Sequence, residues 1–313
     1  MIEFVYVRKA KTYGVDSVTR RILIRSLQCY LAFVLTSFCA YVGGYKSAAG
    51  FIGSLFFLSD SRFGNILRVY SVLLLVMPLL IHFRLKLGRN ALLGGLALLY
   101  ARYPLFNDLK GISFGLFDTF INLVLGIGPK QGGPSIWHSL SFVFAGMFVA
   151  SSLSTAQHHG KRNFYFACVA LLIFCSFVFV LFIEDGFQDA WKLFIFGNYR
   201  DLNLLGYFVI GTFTSVAILM LLSLIVPATP VLDGWVSYPL TFGYSSLLAY
   251  TIGNCLLNLF GHQIYGTQPI PVISAILIVV MVTTKNIRKF PFAPLIDDML
   301  NFRQPAKNKS GAA

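Results

Sequence analysis

The chain has 313 residues, of which 57% are hydrophobic and only 12% charged, and its formal net charge is +13. A soluble domain carries about 25% charged residues to cover its surface in water, so this composition excludes an ordinary soluble protein. The excess of Lys and Arg does not indicate nucleic-acid binding. These cations cluster in short segments between apolar runs, which is typical of the cytoplasmic loops of membrane proteins.

The apolar runs have the length that a membrane-spanning helix requires, about 20 residues. The first eleven residues lack the apolar core and cleavage site of a secretory signal, so the first span must direct the chain to the membrane. Eight spans are predicted in chain order: Ile22–Val42, Asn65–Ile81, Ala91–Leu105, Ile136–Leu153, Phe164–Ile183, Leu202–Val226, Tyr238–Phe260 and Pro269–Thr284.

A further apolar stretch, Ile112–Ile127, contains Asp118 and Asn122. With eight spans and a cytoplasmic N-terminus, about two thirds of the Lys and Arg residues lie inside, whereas a ninth span at Ile112–Ile127 divides them almost evenly. The positive-inside rule therefore favours eight. Ile112–Ile127 is then interpreted as an interfacial or re-entrant segment on the outer face, shielded by protein where its backbone is irregular.

These patterns predict an all-α fold, a polytopic integral membrane helical bundle with both termini in the cytoplasm. The membrane domain is expected over residues 1–284, and residues 285–313 are expected to form a basic, disordered cytoplasmic tail. No internal repeat is visible, which weakens an inverted-repeat transporter interpretation.

The five cysteines lie inside apolar runs and show no CxxC or Cys/His ligand spacing, so no metal site and no disulfide framework is predicted. Sequence motifs of soluble catalytic sites, such as GxSxG and HExxH, are also absent. Function must therefore come from polar groups placed among the spans.

Three arginines enter the first predicted span from the cytoplasmic side: Arg20, Arg21 and Arg25. Arg21 and Arg25 are four positions apart and share a helix face. Two guanidinium groups there would suit a phosphate-bearing ligand, because Arg forms paired hydrogen bonds to phosphate oxygens. The alternative is a topogenic cluster that contacts lipid head groups, and the residues alone favour that alternative.

A second group of polar and aromatic residues lies at the predicted outer ends of three spans. Such groups could line an outward-facing polar pocket. The alternatives are aromatic-belt anchoring for Tyr70 and Trp137 and a hydrogen-bonded structural role for His138. The group consists of Arg68, Tyr70, Trp137, His138, Arg200 and Asn203.

A third group lies in the seventh predicted span. Gly243, Ser245 and Ser246 are small, so they allow close helix approach, and the hydroxyls can bond across helices. Helix packing is the favoured interpretation of these residues.

Five segments, taken in order, resemble the OpgC-type branch of the membrane acyltransferase-3 superfamily. The resemblance extends from about Phe4 to Phe260, and each segment is weak alone. The segments are Phe4–Lys9 with Thr19–Leu31, Asn65–Tyr70 with Met77–Leu80, Ile136–Leu140 with Phe144–Gly146, Arg200–Asn203, and Gly243–Tyr250.

The resemblance implies a bacterial inner-membrane protein that transfers an acyl group of the succinyl or acetyl type from a cytosolic donor to a periplasmic or surface glycan. It implies no bound cofactor, with an acyl-CoA-type donor as co-substrate. Its partners would be the lipid bilayer, the donor and a carbohydrate acceptor, with no nucleic acid. By the same resemblance, Arg20, Arg21 and Arg25 would hold the donor phosphates, and the acceptor pocket would comprise Arg68, Tyr70, Trp137, Arg200 and Asn203.

One feature departs from the family pattern. Superfamily members carry a basic residue followed about eleven positions later by a histidine thought to activate the acceptor hydroxyl, and no histidine here has that spacing. The catalytic residue is therefore unknown, with His138 as a candidate. The chain is expected to start where the family's second helix ends, so a separate polypeptide supplying the missing helices is one alternative. The others are a true start that lies upstream, an inactive remnant, and a transporter or flippase of a glycan or lipid.

Overall fold

The computed structural model describes residues 6–60, 64–101, 109, 111–128, 133–159, 162–182, 204–225, 246–264 and 275–280. Within these ranges the regular structure is helical, and no strand occurs. The chain divides into two compact units, Met1–Val231 and Leu232–Ala313, which are described separately. The prediction of an all-helical membrane protein is confirmed, whereas the boundary at residue 284 stays a prediction.

The first unit begins with a short helix and a long one. Helix α1 (Arg8–Tyr13) is separated from α2 (Val15–Val42) by Gly14, whose φ of 84° favours glycine. A short helix, α3 (Ala48–Leu55), and then α4 (Asn65–Leu87) follow. Helices α2 and α4 pack together, and the Ser26 hydroxyl donates a 2.6 Å hydrogen bond to the Ser71 carbonyl across them.

The rest of the first unit is built around one central helix. The helices are α5 (Asn90–Ala101), α6 (Asp118–Leu125), α7 (Ile136–His159), α8 (Arg162–Phe182) and α9 (Leu205–Ile225). Helix α7 packs against α5, α6, α8 and α9, and it also contacts α4. It therefore holds together the parts of the unit that form the candidate site.

In the part of the chain that the structure describes, four helices are long and apolar enough to cross a membrane: Val15–Val42, Asn65–Leu87, Asn163–Val180 and Leu205–Ser223. Further apolar helices in the described ranges are shorter. The protein is thus an integral membrane protein, while the count of eight spans and the cytoplasmic location of the termini stay predictions. Five predicted spans lie partly outside the described residues: Ala91–Leu105, Phe164–Ile183, Leu202–Val226, Tyr238–Phe260 and Pro269–Thr284.

Several helices extend beyond the predicted apolar runs. Helix α2 begins at Val15 instead of Ile22, and α4 continues from Ile81 to Leu87. A hydropathy window marks the hydrocarbon-facing length, whereas a helix ends where its backbone can no longer continue. For α4 that point is Gly88, whose φ is 80°.

The Ile112–Ile127 segment forms a 3₁₀ turn (Gly115–Phe117) followed by α6, together only about 17 Å long, which is too short to cross a bilayer core of about 30 Å. Its polar side is covered by protein, since Asp118 and Asn122 are buried, whereas Leu116 is 85% exposed. The Asp118 carboxylate accepts a hydrogen bond from the Phe114 amide. These features fit an interfacial segment.

The described part of the second unit contains α10 (Ser246–Ile264), and residues 275–280 are also helical. Thr251, Asn254 and Asn258 are buried in α10, at the three- and four-residue spacing of one helix face.

Candidate functional site

A cavity of about 370 Å³ lies between α4, α7 and α9, within the range of small-molecule sites. The amino-terminal parts of all three helices contribute to its lining. Close approaches of Gly133 to Asn65 and of Gly211 to Phe142 bring these parts together. Its lining consists of Ile66, Val69, Tyr70, Leu73, Pro134, Ser139, Phe142, Val143, Gly146, Met147 and Tyr207.

The start of α7 is fixed by Ser135, which lies directly before the helix. Its hydroxyl accepts a 3.2 Å hydrogen bond from the His138 amide, and its carbonyl accepts a 3.0 Å bond from the Ser139 amide. Ser135 thus satisfies a backbone donor that the first turn leaves without an intrahelical partner. The sequence carried this signal, a serine following Pro134 just before an apolar run, and the candidate residues did not include it.

His138 lies beside the cavity in a buried environment. Its Nδ1 is 2.6 Å from the Ser135 hydroxyl, and its ring stacks on Phe208 with ring centroids 5.2 Å apart. Gly126, at the end of α6, approaches so closely that a Cβ there would lie 2.7 Å from His138 Nδ1. The pair of His138 and Ser135 thus joins the end of α6 to the start of α7. His138 is 6% exposed and Ser135 is fully buried, so both are shielded from a solvent-borne substrate.

Tyr70 and Arg68 point to different parts of the protein. Tyr70 lines the cavity and is 55% exposed, whereas the Arg68 side chain is almost completely buried. The Arg68 guanidinium donates to the Asp60 carboxylate at 2.6 Å. Positions two apart on a helix differ by about 200° in direction, so the two residues predicted for one pocket do not meet.

Arg68 belongs to a partly buried ionic cluster with Lys46 and Asp60. The Lys46 ammonium donates to the Ser54 hydroxyl and to the Asp60 carbonyl. Lys46 lies between α2 and α3, where burial lowers its pKa to about 8; the Asp60 carboxylate opposes this shift and the Arg68 cation adds to it. Lys46 and Asp60 were not among the predicted residues, because no sequence spacing relates them to Arg68.

Trp137 lies at the start of α7, partly buried against the apolar cluster that contains Val69, Leu73 and Leu99. It is therefore close to α4 but does not line the cavity. The other predicted acceptor residues, Arg200 and Asn203, lie outside the described residues, as do Gly243 and Ser245. Ser246 is the first residue of α10.

The three predicted donor-binding arginines lie on the first half of α2. Arg20 is exposed on a shallow surface that also contains Asp16 and Thr19. Arg21 and Arg25 are half-buried one turn apart, and Arg25 donates a 3.2 Å hydrogen bond to the Gln28 side chain. Helix α2 is about 42 Å long, so these residues can lie near one membrane surface while Val42 reaches the other.

Cysteines 29, 39, 168 and 175 are buried and unbridged. Among the residues that the structure describes, no group of His, Cys, Asp or Glu is arranged to hold a metal ion.

The model of one protein family, described as OpgC protein, matches residues 44–287, which is more than three quarters of the chain. The matched range contains the cavity and the ionic cluster and begins after the three arginines of α2. No curated protein and no solved structure matches the chain.

Proposed function

The chain belongs to the OpgC protein family, and on this premise we propose that it takes part in membrane acyl modification of glucans or related glycans. The family match over residues 44–287 is the observation that carries the proposal. The acyl group would be of the succinyl or acetyl type, the donor an acyl-CoA-type thioester from the cytosol, and the acceptor a hydroxyl of a periplasmic or surface carbohydrate.

The proposed chemistry is an ester-forming acyl transfer. The acceptor hydroxyl oxygen bonds to the acyl carbonyl carbon, the thioester C–S bond breaks, and the hydroxyl proton ends on the thiol that leaves. A base must receive that proton during attack. His138 stays a candidate for that role, although its burial and its bond to Ser135 support a structural one.

The proposed arrangement uses eight spans in the bacterial inner membrane, with both termini in the cytoplasm. The amino-terminal ends of α4, α7 and α9, with the cavity between them, would then face outward. The start of α2, with Arg20, Arg21 and Arg25, would face the cytosol. Donor and acceptor would thus approach the bundle from opposite sides, which requires a polar passage or a moving acyl group between them.

The donor role of the α2 arginines rests on charge and position, since they precede the matched range. Arg21 and Arg25 present two guanidinium groups one turn apart, a spacing that suits a diphosphate. In vesicle-reconstituted protein, the double variant Arg21→Gln with Arg25→Gln is expected to bind acyl-CoA at least tenfold more weakly than the wild type. The matched control, Lys9→Gln with Lys11→Gln, removes the same charge from α1 and is expected to change binding less than twofold.

Glycan mass analysis tests acyl modification directly. Cells lacking the gene should lose an acyl mass increment from their glycans, and re-expression should restore it. An unchanged acyl pattern would refute the proposal, and glycans that stay acylated but fail to reach the cell exterior would instead indicate transport. Unaltered donor binding in the Arg21/Arg25 variant would remove only the assignment of those arginines.

A further inference from the structure

The cavity between α4, α7 and α9 has a mostly apolar lining, and its hydroxyl-bearing side chains lie near the starts of the three helices. Its three hydroxyls belong to Tyr70, Ser139 and Tyr207, each within the first two turns of its helix. From Ser139 to Met147 the wall of α7 continues for about 12 Å with apolar side chains and one glycine. The hydroxyls thus lie near the starts of the helices, beside Ile66 and Pro134, and the side chains farther along the helices are apolar.

This composition does not suit a carbohydrate ring in the deeper part of the cavity. A sugar carries a hydroxyl on nearly every carbon, and each one buried without a hydrogen-bond partner is destabilising. Leu73, Val143 and Met147 offer no such partner in their side chains. A hydrocarbon chain is stabilised by the same walls, because its transfer from water is favourable in proportion to the apolar area buried.

The cavity is also accessible from the surface of the first unit. Tyr70 is 55% exposed and Ile66 is 37% exposed, and both line the cavity on α4. Such exposed apolar surface on a membrane-spanning helix faces lipid, so a chain can enter sideways from the bilayer. Gly146 supplies the room, since a Cβ built there meets no atom within 4 Å.

We propose that this cavity binds the hydrocarbon chain of a lipid-like ligand whose polar head lies at the hydroxyls of Tyr70, Ser139 and Tyr207. The ligand is a single alkyl or isoprenoid chain with a hydrogen-bonding head group. Two sources share this chemistry: a carbohydrate carried on a lipid, and the chain of a long-chain acyl donor. The inference goes beyond the proposed acyl transfer, and it depends on the shape and lining of the cavity alone.

The test uses the full chain in phosphatidylcholine nanodiscs with two photoreactive probes. One is an alkyl glucoside and the other a long-chain acyl-CoA, each with a diazirine in its chain. Labelling of α4 or α7 is expected to saturate and to be competed by the same compound without the diazirine. The two probes distinguish the two sources, because the probe that saturates at the lower concentration carries the head group that the cavity prefers.

Gly146→Leu fills the cavity and is expected to reduce saturable labelling at least tenfold. Gly94→Leu is the matched control, because Gly94 is also an exposed helical glycine with open space around its Cβ position, and it lies on α5 outside the cavity lining. That variant should label like the wild type. If Gly146→Leu fails to fold, Gly146→Ala is expected to weaken labelling about threefold.

Three results would overturn the proposal. Labelling that rises without saturation would mean that bulk lipid fills the cavity. Labelling that survives in the folded Gly146 variants would place the ligand elsewhere. Competition by a glucose oligomer lacking a chain would identify a carbohydrate site instead. None of these results touches the acyl-mass assay on glycans, so the failure of this inference and that of the proposed function are distinguishable.

Discussion

The ionic pair between Arg68 and Asp60 predicts a specific loss of stability when its carboxylate is neutralised. Arg68 is 1% exposed and lies 2.6 Å from the Asp60 carboxylate, so Asp60→Asn leaves a buried guanidinium without that compensating charge. Removing one partner of a fully buried pair costs about 3–5 kcal/mol, whereas exposed pairs contribute about 1 kcal/mol or less. The Asp60 side chain is 38% exposed, which places the expected loss between these limits, at about 2 kcal/mol.

The measurement is equilibrium unfolding of the purified protein in mixed micelles titrated with SDS, followed by tryptophan fluorescence. Asp16→Asn is the control, because Asp16 is exposed in the first turn of α2 and contributes less than about 1 kcal/mol through the helix dipole. A second variant combines Asp60→Asn with Arg68→Met. It removes the buried charge as well, so it should be more stable than Asp60→Asn alone.

Unfolding of Asp60→Asn and Asp16→Asn at the same SDS fraction would show that the Asp60 carboxylate does not stabilise the buried guanidinium. A further loss of stability on adding Arg68→Met to Asp60→Asn would show that the guanidinium is stabilised by its remaining contacts without the Asp60 carboxylate.

Three further predictions concern single residues. Folding lowers the pKa of Lys46 from 10.5 to about 8, so the unfolded chain binds more protons than the folded protein between these pH values. The stability measured in SDS titrations should therefore rise from about pH 8 to pH 10.5, and Lys46→Met should abolish this rise. Gly211→Ala should destabilise the protein, since the added Cβ would lie 2.9 Å from the Phe142 ring. Gly94→Ala should instead stabilise α5 by up to about 1 kcal/mol. Equal unfolding midpoints in the two variants would contradict the packing of α7 on α9. Ser135→Ala should lower the stability by about 1 kcal/mol because it removes the cap of α7. A loss of glycan acylation far beyond this change in stability would favour a catalytic role for the neighbouring histidine.

The family and the membrane class could be predicted from the sequence because both depend on local patterns. Apolar runs of bilayer length require helices, since a backbone in hydrocarbon must satisfy its own hydrogen bonds. The segment Asn65–Tyr70 carried part of the resemblance to the family, and the family match includes it. Arg68 and Tyr70 were assigned to one predicted pocket, although residues two apart on a helix do not share a face and their separation could have been predicted.

The partners of those residues could not be predicted in the same way. Asp60 and Lys46 lie eight and 22 positions before Arg68, in the connection from α2 to α4, and they approach it because α3, within that connection, packs against α2. Their distance from Arg68 depends on the path of the connection between α2 and α4, and no periodic sequence pattern predicts that path. The same holds for Ser135 and His138, where the cap could be recognised locally but the stacking on Phe208 depends on α9.

The membrane location, the helical structure and the family could all be predicted from the amino-acid order, because hydropathy and motif order are properties of neighbouring residues. The buried side of α4, the link that Ser135 and His138 form between α6 and α7, and the cavity between α4, α7 and α9 could not. They depend on packing between helices distant in sequence, which sets the direction of each side chain, and in lipid an apolar residue is equally compatible with the protein interior and with the bilayer.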